Sequence, residues 1–409
     1  MSALWNKVDS FAGNSTSART THERPCPICG STRFKSVLQL DQFQFYSDSA
    51  EVPKRADLRQ VQCLDCFALC LNPCYSDYGF QVLFAEAGRS YGSAESHSRE
   101  QIDWLRAKGV LRAGTRFLDA GCYDGRFLAM LPNDLQRSGV DVDKPAIERG
   151  RQRFGELGIE FIHGDFESFH CDRALDTITM FHVLEHLPRP KAALSNLRSM
   201  AHDGTRLVVE VPVLEKGITN DINGFFSVQH MTHFTRASLR ECLALAGWKI
   251  DDSKDIEEYN GLRVVAVPAE PTKVPERDLQ ATGWLHRYLA AWHSALQHVE
   301  ERLSRIENAG RCVLWGGGVH TEFLYHTTSF FQSRPDRDYF IVDSDPVKKG
   351  KSWRGIKVYS PDVLPSVSWS EVNLVVSSYG SQAGIVKAAI ELGVPADRIV
   401  TLYDELRVY

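Results

Sequence analysis

The chain has 409 residues, a net charge of −5 and 43% hydrophobic residues. This length favours two or three domains over a single core, and the composition is that of an ordinary globular protein. The small negative charge gives no reason to expect affinity for nucleic acid or for membrane surfaces. No apolar run reaches the roughly 18 residues that a membrane span needs. We therefore expect a cytoplasmic protein with neither a nucleic-acid nor a membrane partner.

The first 24 residues are polar and rich in small side chains, and they lack the apolar centre of a signal peptide. We expect residues 1–24 to form a flexible tail. Six of the ten cysteines follow between Cys26 and Cys74, although the cytoplasm is a reducing setting. This uneven distribution indicates a dedicated cysteine site.

Two C-x-x-C pairs predict a zinc-binding module over residues 25–95. A two-residue gap lets both thiolates of a knuckle face one metal ion, and two knuckles complete a closed tetrahedral site, so the zinc would be structural. The alternatives are four buried structural cysteines or redox-active pairs, and Cys70 is interpreted as a bystander together with Cys74. The four predicted ligands are Cys26, Cys29, Cys63 and Cys66.

Residues 96–270 alternate strands with helices, which predicts a largely parallel sheet with helices on its faces. The first strand ends at Asp119 and runs into the loop Gly121–Gly125, and the next two end near Asp141 and Asp165. The fourth strand runs into F-H-V-L-E-H from Phe181, and a fifth ends near Glu210.

The spacing of this loop decides which ligand it holds. A dinucleotide fold requires G-x-G-x-x-G, whereas the chain has G-C-Y-D-G. Asp141 can accept both ribose hydroxyls, and Asp165 is placed to meet the adenine amino group. The pattern therefore indicates an adenosine without a pyrophosphate, which is S-adenosylmethionine.

This series of strand ends resembles the class I S-adenosylmethionine-dependent methyltransferases over roughly residues 100 to 250. The resemblance implies that Asp119, Gly121 and Gly125 hold the methionine side of the cofactor. It implies ribose binding by Asp141 and adenine binding by Asp165, with Phe181 or His182 beneath. The alternative is a degenerate domain that binds no cofactor.

A wider resemblance covers nearly the whole chain from Pro25, through C-P-I-C-G, L-D-A-G-C-Y-D-G, Q-H-M-T-H-F-T and I-V-D-S-D-P-V-K-K-G near the C-terminus. In this order the motifs resemble the three-domain sugar methyltransferases, typified by C-methyltransferases of nucleotide-linked deoxyketosugars. The resemblance implies an α/β protein: a zinc-binding module, a Rossmann-like class I methyltransferase domain and a second Rossmann-like α/β domain at the C-terminus.

The family's general base aligns with His230. Carbon methylation requires removal of a proton next to a ketone, for which a histidine is the natural base. However, Gln229 and Ser227 replace the family's glutamate and tyrosine, so half of the expected acid–base set is absent. Oxygen or nitrogen methylation needs only one base, and His182 or His186 can also supply it.

Two further interpretations of these histidines remain open. His230 and His233 also fit an architectural H-x-x-H-F-T element that precedes a helix. His182 and His186 have the spacing of a metal-binding pair, but the sequence shows no third ligand. Glu185 lies between them and is a further candidate base.

Residues 271–310 predict a connecting helix, and residues 311–409 a second α/β domain that begins with the glycine turn at Gly316. The resemblance implies that this domain grips the acceptor, with His320, Tyr379 and Arg354 lining its crevice. Packing alone is one alternative. A nicotinamide site with Asp343 is another, although Thr321 takes the place of the third glycine.

The sequence thus predicts methyl transfer from S-adenosylmethionine to a sugar, in particular a nucleotide-linked one, at carbon or oxygen. The alternatives are O- or N-methylation of a non-sugar small molecule, and a non-catalytic scaffold that binds S-adenosylmethionine and zinc. An oxidoreductase that uses the C-terminal domain is a third. The oligomeric state stays open.

Overall fold

A computed structural model of the chain describes residues 4–8, 17–45, 54–84, 95–257 and 259–407. Within the expected tail, Asn6 exchanges backbone hydrogen bonds with Tyr339 at 2.9 and 2.8 Å, and Trp5 packs against Phe340. Its described parts therefore pair with the folded chain through an isolated bridge. Residues 1–3 and 9–16 of that segment lie outside the described residues.

The N-terminal segment contains an antiparallel sheet. Its elements are α1 (Ser17–Thr20), β1 (Thr21–His22), β2 (Phe34–Gln44), β3 (Arg55–Cys63), β4 (Leu69–Leu71), β5 (Cys74–Tyr75) and α2 (Asp77–Leu83). β2, β3 and β4 pair in this order, and β1 pairs separately with β5. β2 and β3 thus form an antiparallel ribbon.

The central segment forms a seven-stranded mixed sheet. Its elements are α3 (Glu95–Ala107), β6 (Arg116–Ala120), α4 (Arg126–Met130), β7 (Gln136–Asp141), α5 (Lys144–Phe154), β8 (Glu160–His163), β9 (Leu175–Phe181), α6 (Pro190–Ser199), β10 (Ala201–Pro212), β11 (Thr232–His233), α7 (Arg236–Leu245), β12 (Trp248–Asp255) and β13 (Gly261–Pro268). The strand order is β12-β13-β10-β9-β6-β7-β8, and only β13 runs antiparallel to the other strands of the sheet. β6 is buried almost throughout, because helices cover both faces of a parallel sheet. The predicted central α/β sheet is therefore confirmed.

Local sequence fixes the helix starts of this segment. Asp143 caps α5 by accepting the amide of Ala146, and Thr235 caps α7 through a reciprocal pair with Ser238. β11 does not join the central sheet but pairs with β4 of the N-terminal sheet. The two sheets are thereby joined through a backbone ladder.

The C-terminal segment begins with a long helix and ends in a second sheet. Its elements are α8 (Ala281–Ser304), β14 (Arg311–Trp315), α9 (Val319–Thr327), β15 (Asp338–Val342), β16 (Ser352–Trp353), β17 (Ile356–Tyr359), β18 (Val372–Val376), α10 (Gln382–Glu391) and β19 (Ile399–Val400). The strand order is β16-β17-β15-β14-β18-β19, parallel except for β16. Among the described residues, no helix combines the length and the apolarity that crossing a membrane would require.

The N-terminal sheet is packed on both other segments. Cys26, Ile28 and Cys66 share a core with the central helices, whereas Phe43 and Phe45 share one with the C-terminal sheet. The second contact is also polar, since the backbone amide of Gln44 donates to Glu322 at 2.8 Å. The three segments therefore pack as one body.

Candidate active site

The loop between β6 and α4 adopts left-handed backbone conformations at three positions. The φ angles are 91° at Gly121, 49° at Tyr123 and 76° at Gly125. A Cβ at Gly121 would lie 2.1 Å from a methyl group of Val183, and a Cβ at Gly125 would lie 2.3 Å from the ring of Phe161. Close packing as well as backbone conformation therefore requires both glycines.

Two carboxylates lie at the ends of the neighbouring strands β6 and β7. Asp119 is 5% exposed and accepts a hydrogen bond from the Thr179 hydroxyl at 2.7 Å. Asp141 accepts the amides of Tyr123 and Asp143 at 2.9 and 2.8 Å. Burial raises the pKa of Asp119 to about 7 and also raises that of Asp141. The loop and the end of β7 are thus joined by the Asp141 carboxylate.

The remaining predicted cofactor residues lie at the next strand ends. Asp165 follows β8 and is exposed, and its carboxylate accepts the Glu167 amide at 3.1 Å. Phe181 ends β9 and packs against the ring of Phe127, with ring centroids 5.2 Å apart. Since β9, β6, β7 and β8 are neighbours in this order, their carboxyl ends share one edge of the sheet.

These residues fit the chemistry of S-adenosylmethionine. Only Oδ1 of Asp119 is hydrogen bonded within the described structure, so Oδ2 has capacity to accept from a cationic ligand group. Asp141 and Asp165 supply acceptors for a diol and an amino group at neighbouring strand ends. Gly121 and Gly125 add no side chains to the loop between β6 and α4.

Glu210 is the centre of a buried network next to this edge. Its Oε1 accepts from His97 Nε2 at 2.8 Å and from the Tyr259 hydroxyl. Its Oε2 accepts from Arg263 Nε at 2.5 Å and from Gln101 at 3.3 Å. Both oxygens of this fully buried carboxylate are therefore satisfied by the protein itself.

His182 connects the network to a second carboxylate. Its Nε2 lies 2.8 Å from the Tyr259 hydroxyl and 3.3 Å from Glu210 Oε1, and its Nδ1 lies 3.4 Å from Glu185 Oε1. Burial alone would lower the pKa of His182, but the two carboxylates raise it to about 10. The same contacts hold the pKa of Glu210 well below its ordinary value, against the effect of burial. With φ at 56°, His182 also carries the backbone strain that is common at functional sites.

A cavity of about 170 Å³ lies beside this network. Its walls come from the ends of β9 and β10, from the segment before β11 and from the start of β13. The lining combines imidazole, phenol, hydroxyl and amide groups with one phenylalanine. It is formed by His182, Pro212, Gly224, Phe225, Ser227, His230, Tyr259 and Asn260.

The segment before β11 brings His230 to this cavity. The amide of Met231 donates to the carbonyl of Glu185 at 2.8 Å, which fixes the segment against the turn after β9. The rings of His230 and His186 are 4.9 Å apart and perpendicular. Burial lowers the pKa of His230 well below its ordinary value, so the imidazole is neutral and keeps a lone pair.

His233 has a different environment. It is 1% exposed, and its Nε2 lies 2.7 Å from Gln60 Oε1 of the N-terminal sheet. Burial lowers its pKa to about 3. Its position is that of an architectural residue, in contrast to His230.

The structure separates His182 from His186. His182 groups with His97 and Glu210, whereas His186 groups with Glu185 and His230. The metal-binding pair suggested by their spacing therefore does not form, because the strained backbone at His182 turns its ring toward β10.

Sequence reasoning missed three residues of this site: His97, Glu210 as a side chain, and Tyr259. Tyr259 directly precedes Asn260, and it brings a phenol to the cavity, where Ser227 replaces the tyrosine of the resembling family. No motif in the sequence marks this tyrosine.

The four predicted zinc ligands lie together. Cys26 Sγ is 3.6 Å from Cys66 Sγ, and Cys29 Sγ is 3.6 Å from Cys63 Sγ. Four sulfurs at about 2.3 Å from a tetrahedral zinc ion would be about 3.8 Å apart, which matches this arrangement. Left-handed residues, Gly30 at φ 76° and Phe67 at φ 65°, follow both knuckles and give them the same turn.

Cys70 and Cys74 stand outside this group, as expected of bystanders.

The three residues expected to line a C-terminal crevice are engaged elsewhere. His320 is buried between the hydroxyls of Ser377 and Tyr403, at 3.0 and 2.7 Å. Arg354 is 3% exposed and pairs with Glu322, against the N-terminal sheet. The arrangement differs from the expectation because each polar group is satisfied by a neighbouring segment.

Tyr379 donates to Asn220 at 2.5 Å and thus joins the C-terminal sheet to the loop after β10. The amide of Gly317 donates to Asp343 at 2.8 Å. The Asp343 carboxylate therefore already accepts a hydrogen bond from this glycine turn.

Residues 96–253 match a family model described as a methyltransferase domain. An uncharacterized methyltransferase of Mycobacterium bovis is 30% identical over 106 residues, which are 25% of this chain and 54% of that protein. The ubiquinone biosynthesis O-methyltransferase of Aeromonas salmonicida is 25% identical over 114 residues, 27% of this chain and 48% of that enzyme. The chain thus spans about half the length of the curated relatives it matches.

Among solved structures, a 1,6-didemethyltoxoflavin-N1-methyltransferase of Burkholderia thailandensis covers 51% of this chain and 99% of its own, with a TM-score of 0.40 and 19% identity. The magnesium protoporphyrin IX methyltransferase of Synechocystis covers 47% and 94%, with a TM-score of 0.36 and 20% identity. The match of residues 96–253 shows a methyltransferase domain in the central segment.

Proposed function

We propose that the protein transfers a methyl group from S-adenosylmethionine to a sugar, in particular a nucleotide-linked one, at carbon or oxygen. The observation that carries this proposal is the polar cavity of about 170 Å³ lined by His182, Tyr259 and His230 beside the cofactor loop. A methyl donor and an acceptor held next to each other at the carboxyl edge of the central sheet need no separate activation step, since the sulfonium is already an activated methyl donor. The main contribution of the protein is then positioning.

The cofactor would be held by the strand ends. Asp119 faces the cationic methionine side, Asp141 the ribose hydroxyls and Asp165 the adenine edge. Gly121 and Gly125 give the loop its left-handed turns, and neither position has room for a side chain. When bound, S-adenosylmethionine supplies the electrophilic methyl group, and every other step depends on residues of this chain.

The acceptor would lie in the polar cavity. The methyl carbon leaves the sulfonium sulfur and bonds to the acceptor atom, which loses one proton. We propose that removal of this proton depends on His230, whose imidazole reaches the cavity. The Tyr259 hydroxyl and His182 line the same wall, where the Glu210 network holds both groups in position beside an acceptor.

Two features support a sugar over an apolar acceptor. The cavity walls offer imidazole, phenol, serine and amide groups, which match the dense hydroxyl pattern of a sugar. The second α/β sheet is joined to this region through Tyr379 and Asn220, so a larger acceptor could extend toward it. A flat aromatic acceptor would meet few apolar partners, since Phe225 is the one aromatic hydrocarbon side chain of the lining.

We also propose that Cys26, Cys29, Cys63 and Cys66 bind a structural zinc ion. The sulfur spacing of 3.6 Å within the two cross-knuckle pairs supports this assignment. The ion would stabilise the turn that carries Arg24, whose guanidinium donates to the carbonyls of Pro188 and Met231 beside the cavity. Metal analysis of Cys63→Ser protein tests this: loss of one zinc per chain is expected, and an unchanged zinc content would refute it.

The experiment that tests the function uses S-adenosylmethionine with an isotope-labelled methyl group. Nucleotide-linked deoxyketosugars, their hydroxy analogues, catechols and amines are offered in parallel, and mass spectrometry reports which one gains a single labelled methyl group. Label in a sugar is expected. Label only in a catechol or an amine would contradict the sugar assignment, and label in none would contradict the activity toward these classes.

The variant His230→Ala tests the residue on which proton removal depends. It should lose turnover yet bind S-adenosylhomocysteine with unchanged affinity, whereas His202→Ala, on the exposed start of β10, should keep both. Full turnover of His230→Ala would remove this histidine from the mechanism.

A further inference from the structure

Three side chains with metal-binding atoms lie close together, and His230 is one of them. They are Glu185, His186 and His230, and one ligand atom of each lies within 4.8 Å of the others. Glu185 and His186 belong to a short 3-10 turn after β9, and His230 belongs to the segment that pairs its backbone with this turn. Residues 45 positions apart are thus fixed next to each other by backbone hydrogen bonds.

Two of these side chains have buried polar atoms without a hydrogen bond. Glu185 is 1% exposed, and within the described structure neither of its carboxylate oxygens forms a hydrogen bond. The same holds for Nδ1 of His230. The nearest nitrogens to Glu185 Oε1 are His182 Nδ1 at 3.4 Å and His186 Nε2 at 3.9 Å. The ion pair with His182 leaves both carboxylate oxygens without a hydrogen bond, so a ligand that satisfies them would lower the cost of burial.

His186 is prepared to act as a ligand through one particular nitrogen. Its Nδ1 lies 3.1 Å from the carbonyl oxygen of Gln229, and a carbonyl can only accept. The proton is therefore on Nδ1, and Nε2 keeps its lone pair. Ligand histidines in metal sites commonly donate their other N–H in this way.

The neighbouring group of His97, His182 and Glu210 serves as an internal comparison. Both oxygens of Glu210 are already occupied, by donors that include Arg263 and Tyr259. A cation in that group would have to displace an arginine. Of the two groups of mixed histidine and carboxylate ligands in the described structure, only that of Glu185 has free acceptor capacity.

We propose that Glu185, His186 and His230 bind one divalent transition-metal ion of the zinc class, separate from the cysteine site. Two imidazoles and a carboxylate are the donor set of catalytic zinc sites, which keep a fourth position open. His230 also lines the acceptor cavity, so the ion would lie within one side chain of the acceptor. This deepens the proposed function and rests on it for the role of the ion: an acceptor hydroxyl that reached the ion would lose its proton more readily, and the proton would pass to water.

The test counts metal ions in the full-length protein. Zinc-loaded protein is dialysed against excess Zn²⁺, then against buffer, and its zinc content is measured by plasma mass spectrometry. Two zinc ions per chain are expected for the wild type, and one for Glu185→Gln and for His230→Asn. His97→Asn, in the neighbouring group, should keep two. Binding of S-adenosylhomocysteine verifies that each variant is folded.

Titration with Co²⁺ gives a second, independent readout. Cobalt at the four cysteines produces strong sulfur-to-metal charge-transfer bands, whereas cobalt bound by Glu185 and the two histidines produces only ligand-field bands. The second set of bands should disappear in Glu185→Gln and persist in His97→Asn.

One zinc per chain in the wild type would overturn the proposal, as would a second ion that Glu185→Gln retains or that His97→Asn loses. None of these outcomes involves methyl transfer, so failure of the metal site and failure of the proposed function are measured separately.

Discussion

The central and C-terminal sheets share a strand arrangement and differ in charge. β6 lies between β7 and β9, and β14 lies between β15 and β18 in the same manner. In each sheet a glycine turn follows the first strand and an aspartate follows the second. Asp141 accepts the amides of Tyr123 and Asp143, and Asp343 accepts those of Gly317 and Asp345, all at 2.8 to 2.9 Å.

The partners of these two aspartates distinguish the sheets. Asp343 forms an ion pair with Lys348 at 2.8 Å, whereas Asp141 has no ion pair among the described residues. The residue before the last in β6 is Asp119, whereas the corresponding residue of β14 is Leu314. The same topology therefore presents unneutralised carboxylates to a cationic cofactor in one sheet and a carboxylate neutralised by its own lysine in the other. In the proposed function, charge at the strand ends, rather than strand order, defines the cofactor site.

The largest effect that would test this comparison is expected from matched glycine substitutions. Gly121→Ala places a Cβ 2.1 Å from Val183, and Gly316→Ala places one 2.5 Å from the carbonyl of Ser377, both at positive φ. Each should lower the free energy of unfolding by roughly 2–6 kcal/mol through strain and overpacking. Chemical denaturation measures this loss.

Only Gly121→Ala should also abolish binding of S-adenosylhomocysteine in calorimetry. Equal loss of binding in Gly316→Ala would mean that the two sheets do not differ as described.

A smaller effect is expected from the paired aspartates. Asp141→Asn should weaken S-adenosylhomocysteine binding roughly 10- to 100-fold, because hydrogen bonds to a charged acceptor contribute about 1.5–3 kcal/mol. Asp343→Asn should leave this affinity unchanged, since Lys348 already neutralises that carboxylate. Isothermal titration at constant ionic strength checks both, and an unaffected Asp141→Asn would remove this residue from the ribose site.

The smallest effect is a pH dependence. Burial raises the pKa of Asp119 to about 7, so the free carboxyl gains its charge as pH rises through 7. The cationic cofactor should therefore bind more tightly at pH 8 than at pH 6, with a change of at most about tenfold per pH unit. Asp119→Asn should bind the cofactor weakly, with an affinity that does not change between pH 6 and pH 8. If the affinity of this variant still depended on pH, another group would be responsible for the titration.

The stability of the ligand-free protein should depend on Asp119 in the opposite sense. The folded pKa is raised above the unfolded value of about 3.9, so this carboxyl contributes stability that is present at low pH and lost as pH rises through about 7. Relative to Asp119→Asn, the wild type should lose free energy of unfolding between these pH values. Urea denaturation across this range measures the difference.

The parts of the site that could be predicted from sequence are those encoded in short segments. Asp119, Gly121 and Gly125 lie within seven residues, and Asp141 follows the next strand, so periodicity and glycine spacing were enough to place them. The four cysteines were found for the same reason.

The network around Glu210 could not be predicted in this way. His97 and Tyr259 lie 113 and 49 residues away from Glu210, and they meet it because β13 pairs with β10 while α3 packs near the same edge. The contact of Gln44 with Glu322 spans 278 residues and decides how the N-terminal sheet meets the C-terminal one. Such contacts depend on how whole segments pack, which no local pattern encodes.

The central claim is tested most directly by the stoichiometry of S-adenosylhomocysteine binding, measured by calorimetry on the wild-type protein with NAD as the comparison ligand. One equivalent of S-adenosylhomocysteine per chain and no heat with NAD are expected, because only the central sheet presents unneutralised carboxylates. Two equivalents would mean that the C-terminal sheet also holds the cofactor, and no binding would contradict the assignment of the central site.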